Sequence, residues 1–162
     1  MRIKLFSTAL FSFLVVQVIA QQGINGTYVL QQKEMVSGTE YLNAIAKQIT
    51  ITKTKDSLII ERITPGGGGN DVASREALSL DGKNLVRTTS TNRRRTSLLT
   101  VDKAGKLLKL ITIISYPEKP DEAEYKNTEE WAFGDDGTLT IVKTSDATAT
   151  DDWTIRAVFK KQ

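Results

Sequence analysis

The chain has 162 residues, with 22 Lys and Arg against 19 Asp and Glu, and it contains neither His nor Cys. Without Cys there is no disulfide framework, and without His the commonest general base and metal ligand is gone. The small charge excess falls far short of the concentrated positive field that a nucleic-acid partner needs, so no nucleic acid, no metal and no cofactor is expected.

The opening Met1-Arg2-Ile3-Lys4 is basic, and the run from Leu5 to Ile19 is apolar apart from Ser, Thr and Gln. Val18-Ile19-Ala20 then supplies the residues of a cleavage site, which together describe a secretory signal peptide over 1–20, cut after Ala20. The apolar run is short for a membrane span. The expected product is a secreted or periplasmic domain over 21–162, long enough to bury a single core.

Gly26–Gln32 reads as the first strand. Ser37-Gly38-Thr39-Glu40 has the spacing of a helix capping box, and Leu42, Ile45 and Ala46 follow at helical spacing, which predicts a short helix over 41–47. From Ile49 onward the pattern is β: 49–52, 58–63, 73–80, 85–91, 96–101, 107–116, 129–133, 138–142 and 153–159. The breaks carry turn chemistry such as Asp81-Gly82, Ala104-Gly105 and Gly134-Asp135-Asp136-Gly137. Pro65, Pro117 and Pro120 all fall in loops, where a missing N–H does no damage. With no long helix between strands, parallel βαβ wiring is excluded. The expectation is an all-β fold, an antiparallel up-and-down meander of about 8–10 strands closing into a barrel, which removes its own edges.

At this point the chain resembles the lipocalin-like (calycin) barrels, in particular small secreted bacterial ones. Gly26-Thr27-Tyr28 is similar to their opening G-x-W with Tyr in place of Trp, and the β meander with Asp-Gly-Lys turns after a short helical segment is similar too. The resemblance implies a cation–π contact between Arg156 of the last strand and Tyr28 of the first. The physics of the residues allows that pair equally with an ordinary core Tyr and a solvated Arg.

Several strands are apolar on both faces. Leu107–Ile114 is the clearest, and Trp153, Ile155, Ala157 and Phe159 share one side of the last strand. One face lines an interior; the other calls for a loop, a helix or a second copy of the chain, hence a homo-oligomer through an apolar sheet face. Two readings of the interior stay open: an apolar cavity for a small hydrophobic ligand, or a barrel filled by its own side chains. The interior residues that a ligand would touch are Tyr28, Tyr125, Trp131, Phe133, Trp153 and Arg156, although aromatics more often serve as core.

Catalysis finds no foothold. Glu129 and Glu130 are neighbours on a strand and point to opposite faces, so they cannot act on one bond. Asp135-Asp136 and Asp151-Asp152 sit in turns for backbone reasons. Gly66–Gly69 lacks the Lys-Ser/Thr of a phosphate loop, and no serine-hydrolase motif occurs. The run Arg93-Arg94-Arg95 suits a solvated hairpin tip better than an anionic ligand or membrane. The sequence thus points to a non-catalytic binder or carrier of a small apolar or amphipathic ligand, with a ligand-free structural or interaction module as the alternative.

Overall fold

A computed structural model describes residues 23–162, so the expected leader over 1–20 lies outside the described residues. Ten strands follow one another: β1 (Gly26–Ser37), β2 (Gln48–Lys53), β3 (Ser57–Pro65), β4 (Asp71–Ser79), β5 (Leu85–Thr88), β6 (Arg94–Val101), β7 (Leu107–Tyr116), β8 (Lys119–Phe133), β9 (Thr138–Ala147) and β10 (Trp153–Lys161). They form one sheet in the order β4-β3-β2-β1-β10-β9-β8-β7-β6-β5. Every pairing is antiparallel, and β1 lies beside β10 with Leu30 opposite Phe159 and Met35 opposite Ile155. The expected meander is therefore present, curled until its first strand meets its last.

Closure is incomplete. The sheet's two ends are β4 and β5, consecutive in the chain and yet not paired. β5 is only four residues long, too short to span the length of β4. Side chains bridge the seam instead. Arg87 donates from Nη1 to the Arg75 carbonyl at 3.1 Å, and Arg95 reaches from β6 to Glu76 of β4 at 2.5 Å. The two exposed edges thus face each other across a gap, which keeps either from pairing freely with another chain.

Alternation with a period of two decides what lies inside. Leu58 and Ile60 of β3, Leu108 and Leu110 of β7, Leu139 and Ile141 of β9, and Ile155, Ala157 and Phe159 of β10 all belong to one buried core. The hairpin between β8 and β9 closes as its residues dictate: Asp136 Oδ1 accepts from the Thr138 amide at 3.0 Å, and Gly137 takes a positive φ of 78°.

The expected short helix over 41–47 does not form. The segment is a chain of turns and bends, with one turn bond from the Ala44 amide to the Tyr41 carbonyl at 3.0 Å. Ala44, Ile45 and Ala46 are all buried. Three consecutive buried side chains cannot share one face of a helix, so covering the barrel mouth takes precedence over weak local propensity. Glu40 pairs with Lys33 rather than completing a capping box.

This strap enters at Gly38, whose φ is +77°, and a Cβ there would fall 2.7 Å from Trp153 Cβ and nearer still to the Asp152 carbonyl oxygen. Gly38→Ala therefore combines a left-handed penalty of about 1–2 kcal/mol with a backbone clash that cannot be relieved by rotating a side chain. Urea unfolding should give a free energy of unfolding lower by at least that left-handed penalty.

The doubly apolar look of β7 has a simple outcome. Leu108, Leu110 and Ile114 are buried, whereas Leu107 on the other face is 56% exposed. Ile111 and Ile113 are half-covered by their strand neighbours, and among the described residues no second layer packs over them.

Candidate functional site

Strand register stacks the interior in layers. Phe133, Leu139 and Phe159 are cross-strand partners in the layer nearest the closed end. Above them Leu108, Trp131, Ile141 and Ala157 form the next ring, followed by Leu110, Glu129, Lys143 and Ile155. The fourth ring reads Ser97, Thr112, Asn127, Ser145 and Trp153. Apolar packing at the closed end therefore gives way to charge and then to hydroxyl and amide groups as the mouth is approached.

The floor is filled by its own side chains: Trp131 is 1% exposed, and Leu139, Ile141 and Phe159 are fully buried. Tyr28 lies among them, its ring edge-on to Phe133 at 5.9 Å and its hydroxyl donating to the Ile24 carbonyl at 3.0 Å. Burial raises the Tyr28 pKa, which keeps the hydroxyl neutral.

The charged layer is a connected network. Arg62 donates to Glu76 at 3.2 Å and to Glu129 at 2.9 Å. Glu76 also accepts from Arg95 at 2.5 Å and from the Ser97 hydroxyl at 3.2 Å. Glu129 accepts from the Trp131 indole N–H at 3.0 Å and lies 3.7 Å from the Lys143 ammonium. Lys143 donates to the Ala44 carbonyl at 2.9 Å, tying the strap to the barrel wall. The Arg62 guanidinium lies over the Trp131 ring at 5.6 Å, and Lys143 Nζ over Trp153 at the same separation.

These contacts set the protonation states. Burial alone pushes the Glu129 carboxyl up, but Arg62, Lys143 and the Trp131 indole together outweigh it, and the net displacement is downward. At Lys143, by contrast, burial prevails and lowers the pKa despite Glu129 beside it. Two buried polar atoms in this region have no protein partner, Arg95 Nε and Asn127 Oδ1. Tyr125, two residues from Asn127 on β8 and on the same face, has its pKa raised, chiefly by burial.

Five of the six aromatic and cationic residues expected inside do face inward, but they do not form one site. Tyr28, Trp131 and Phe133 belong to the packed floor, while Trp153 and Tyr125 lie in the upper half. Trp153 packs against Tyr41 of the strap at 6.0 Å between ring centroids. Arg156 is the exception. It alternates with the buried Ile155 and Ala157 and so points outward, exposed. The expected Arg156–Tyr28 stack is absent, and Lys161 Nζ lies 6.0 Å from the Tyr28 ring instead.

The Arg93–Arg95 run does not behave as one solvated tip either. Arg93 pairs with Glu124 at 2.8 Å and lies 3.9 Å from the Tyr116 ring centroid, whereas Arg95 turns inward to Glu76. The sequence reading missed Arg62, Glu76, Arg95 and Lys143 as interior groups. The available signal was phase, because each occupies a position in step with buried Leu or Ile on its own strand.

Known proteins add little. No family model matches the chain, and no curated protein matches it. Among solved structures, the chain is similar to two mutants of the fluorescent protein UnaG. One shares 12% identity over 86% of this chain and 96% of that one, with a TM-score of 0.48. The other shares 17% identity over 85% and 95%, also at 0.48. Overlap of that depth carries no functional argument. The calycin-like expectation holds at the level of architecture, in the nearly closed antiparallel meander itself.

Proposed function

We propose that this protein is a non-catalytic binder or carrier of a small amphipathic molecule, acting outside the cytoplasm. The carrying observation is the change of interior character along the barrel axis, from the Phe133–Leu139–Phe159 floor to the Ser97–Thr112–Asn127–Ser145 ring beneath the mouth. Buried charge is poor value as a stabiliser compared with apolar packing, so a wholly structural barrel gains little from it. A ligand with a polar end has partners here, Asn127 Oδ1 among them. Trp153, Tyr125 and the strap residues Tyr41 and Ala44 would supply its apolar contacts.

Export is supported by the basic start, apolar run and Val-Ile-Ala exit at residues 1–20, and it fits a mature domain of the small secreted bacterial type. No chemistry is assigned to Glu129 or Lys143, because Arg62, Trp131 and Ala44 already engage them.

A second reading has its own observation. A depression of about 550 Å³ lies on the outer wall, lined in part by Leu107, Ala132 and Val142, and such a face suits a protein partner or second copy. Native mass spectrometry of the mature chain, incubated with a total lipid extract, separates the two. Carriage predicts a monomer with a retained small-molecule adduct. Empty protein throughout overturns carriage, and an empty dimer favours the interaction module.

A further inference from the structure

The seam between β4 and β5 is more than a gap in the hydrogen-bond ladder. A cavity of about 150 Å³ opens there, lined by Ser74, Arg75, Glu76, Leu85, Arg87, Arg95 and Ser97. Arg87 and Arg95 are directly opposed across β5 and β6, as are Leu85 and Ser97. Residues in register share a face, and Leu85 packs against the core, so Arg87 and Arg95 leave their strands on the same side, toward the cavity that both of them line.

Two like charges directly opposite each other are destabilising unless something of opposite sign lies between them. Glu76 is the one carboxylate lining this cavity, and Arg62, Arg95 and Ser97 already share it. Arg87 makes no ion pair among the described residues; its recorded bond is to a backbone carbonyl. Arg95 keeps its Nε buried without a partner. The guanidinium donors therefore outnumber the acceptors around this cavity. Planar N–H forks of this kind match the two oxygens of a carboxylate or the three of a phosphate.

We infer that the seam is an oxyanion site, in which Arg87 and Arg95 together grip a carboxylate or phosphate group and bridge the unpaired strands. The inference deepens the carrier reading by giving the ligand an anionic end, but it stands equally for a free small anion. Bound there, the anion links β5 and β6 to β4, adding to the side-chain bonds that Arg87, Arg95 and Ser97 make across the seam.

Calorimetric titration at low ionic strength tests this with three probes: inorganic phosphate, dodecanoate and dodecanol. The mature wild-type chain is compared with Arg87→Gln, which removes an exposed side chain and leaves the buried network whole, and with Arg87→Lys. The expected result is that phosphate, dodecanoate or both bind, and that Arg87→Gln weakens each oxyanion that binds at least tenfold. Arg87→Lys recovers only part of the loss, because it keeps the charge without the fork. Dodecanol, if bound, is unaffected by either substitution.

The outcomes separate the two readings. Arg87-dependent phosphate binding with neither amphiphile bound keeps the oxyanion site and removes carriage. Dodecanoate bound no better than dodecanol and equally well by wild type and Arg87→Gln, with no Arg87-dependent phosphate binding, overturns the oxyanion site and leaves carriage intact. Failure of both oxyanions to bind wild type overturns the site as well.

Discussion

Glu129→Ala is expected to destabilise the barrel by about 3–5 kcal/mol, the usual cost of removing one partner from a buried charge cluster. Arg62, only 12% exposed at its side chain, would keep Glu76 alone, and Lys143 would lose the carboxylate 3.7 Å away. The Trp131 indole N–H would also be left without its acceptor, adding the penalty of a buried unsatisfied donor. Urea unfolding followed by Trp fluorescence gives the number. Pairing the change with Arg62→Met should recover part of the loss, since the orphaned guanidinium is then gone. If Glu129→Ala alone costs under about 1 kcal/mol, the cluster is solvated and the layered interior is wrong.

The same carboxylate makes a pH prediction with a definite sign. Its folded pKa lies below the ordinary glutamate value, so the unfolded chain binds more protons between the two. Its stabilising contribution is complete above the unfolded pKa of about 4.3 and is lost as pH falls through the folded value. Lys143 acts in the alkaline range. Its folded pKa lies below that of a free lysine, so the unfolded chain again holds the extra proton, and stability rises with pH across that window. Wild type should therefore lose stability in acid more steeply than Glu129→Gln.

How much of this was legible in the residues depends on which physical rule acted alone. The existence of all ten strands follows from period-two alternation and turn chemistry, both local, and their meander order follows from the short connections. Their bounds do not: β3 takes in Pro65, and β8 starts at Lys119 and takes in Pro120, where the residues alone read as loops. The helix over 41–47 failed because a tertiary demand, closure of the barrel mouth, overrode a weak local pattern. The open seam between β4 and β5 depends on strand twist and on the shortness of β5, and neither is written in a hydrophobic pattern.

Phase explains the interior charges. Arg62 keeps step with Leu58 and Ile60, Glu129 with Trp131, and Lys143 with Leu139 and Ile141. A composition-minded reading assigns each to solvent, whereas a strict reading of parity puts all three inside. Parity alone also places Arg156 outside, against the family resemblance. What parity cannot supply is the partner, because Arg62 and Glu129 are 67 positions apart and meet only when the sheet curls.

Trp131 provides the second large effect and separates packing from hydrogen bonding. Its side chain is almost wholly buried, in contact range of Phe133 at 6.5 Å between centroids, and it lies beneath Arg62. Trp131→Ala opens a large cavity in the floor and should cost about 3–5 kcal/mol. Trp131→Phe keeps most of the volume but removes the indole donor to Glu129, with an expected cost of about 1–3 kcal/mol. The carboxylate retains Arg62, so the smaller change should leave the fold intact and move the Glu129 pKa upward, since one of the groups that lowers it is gone. The acid limb of the stability curve then shifts to higher pH in Trp131→Phe. An unshifted limb together with an unchanged urea midpoint would show that the indole–carboxylate bond contributes nothing, and that Trp131 serves the floor by its bulk alone.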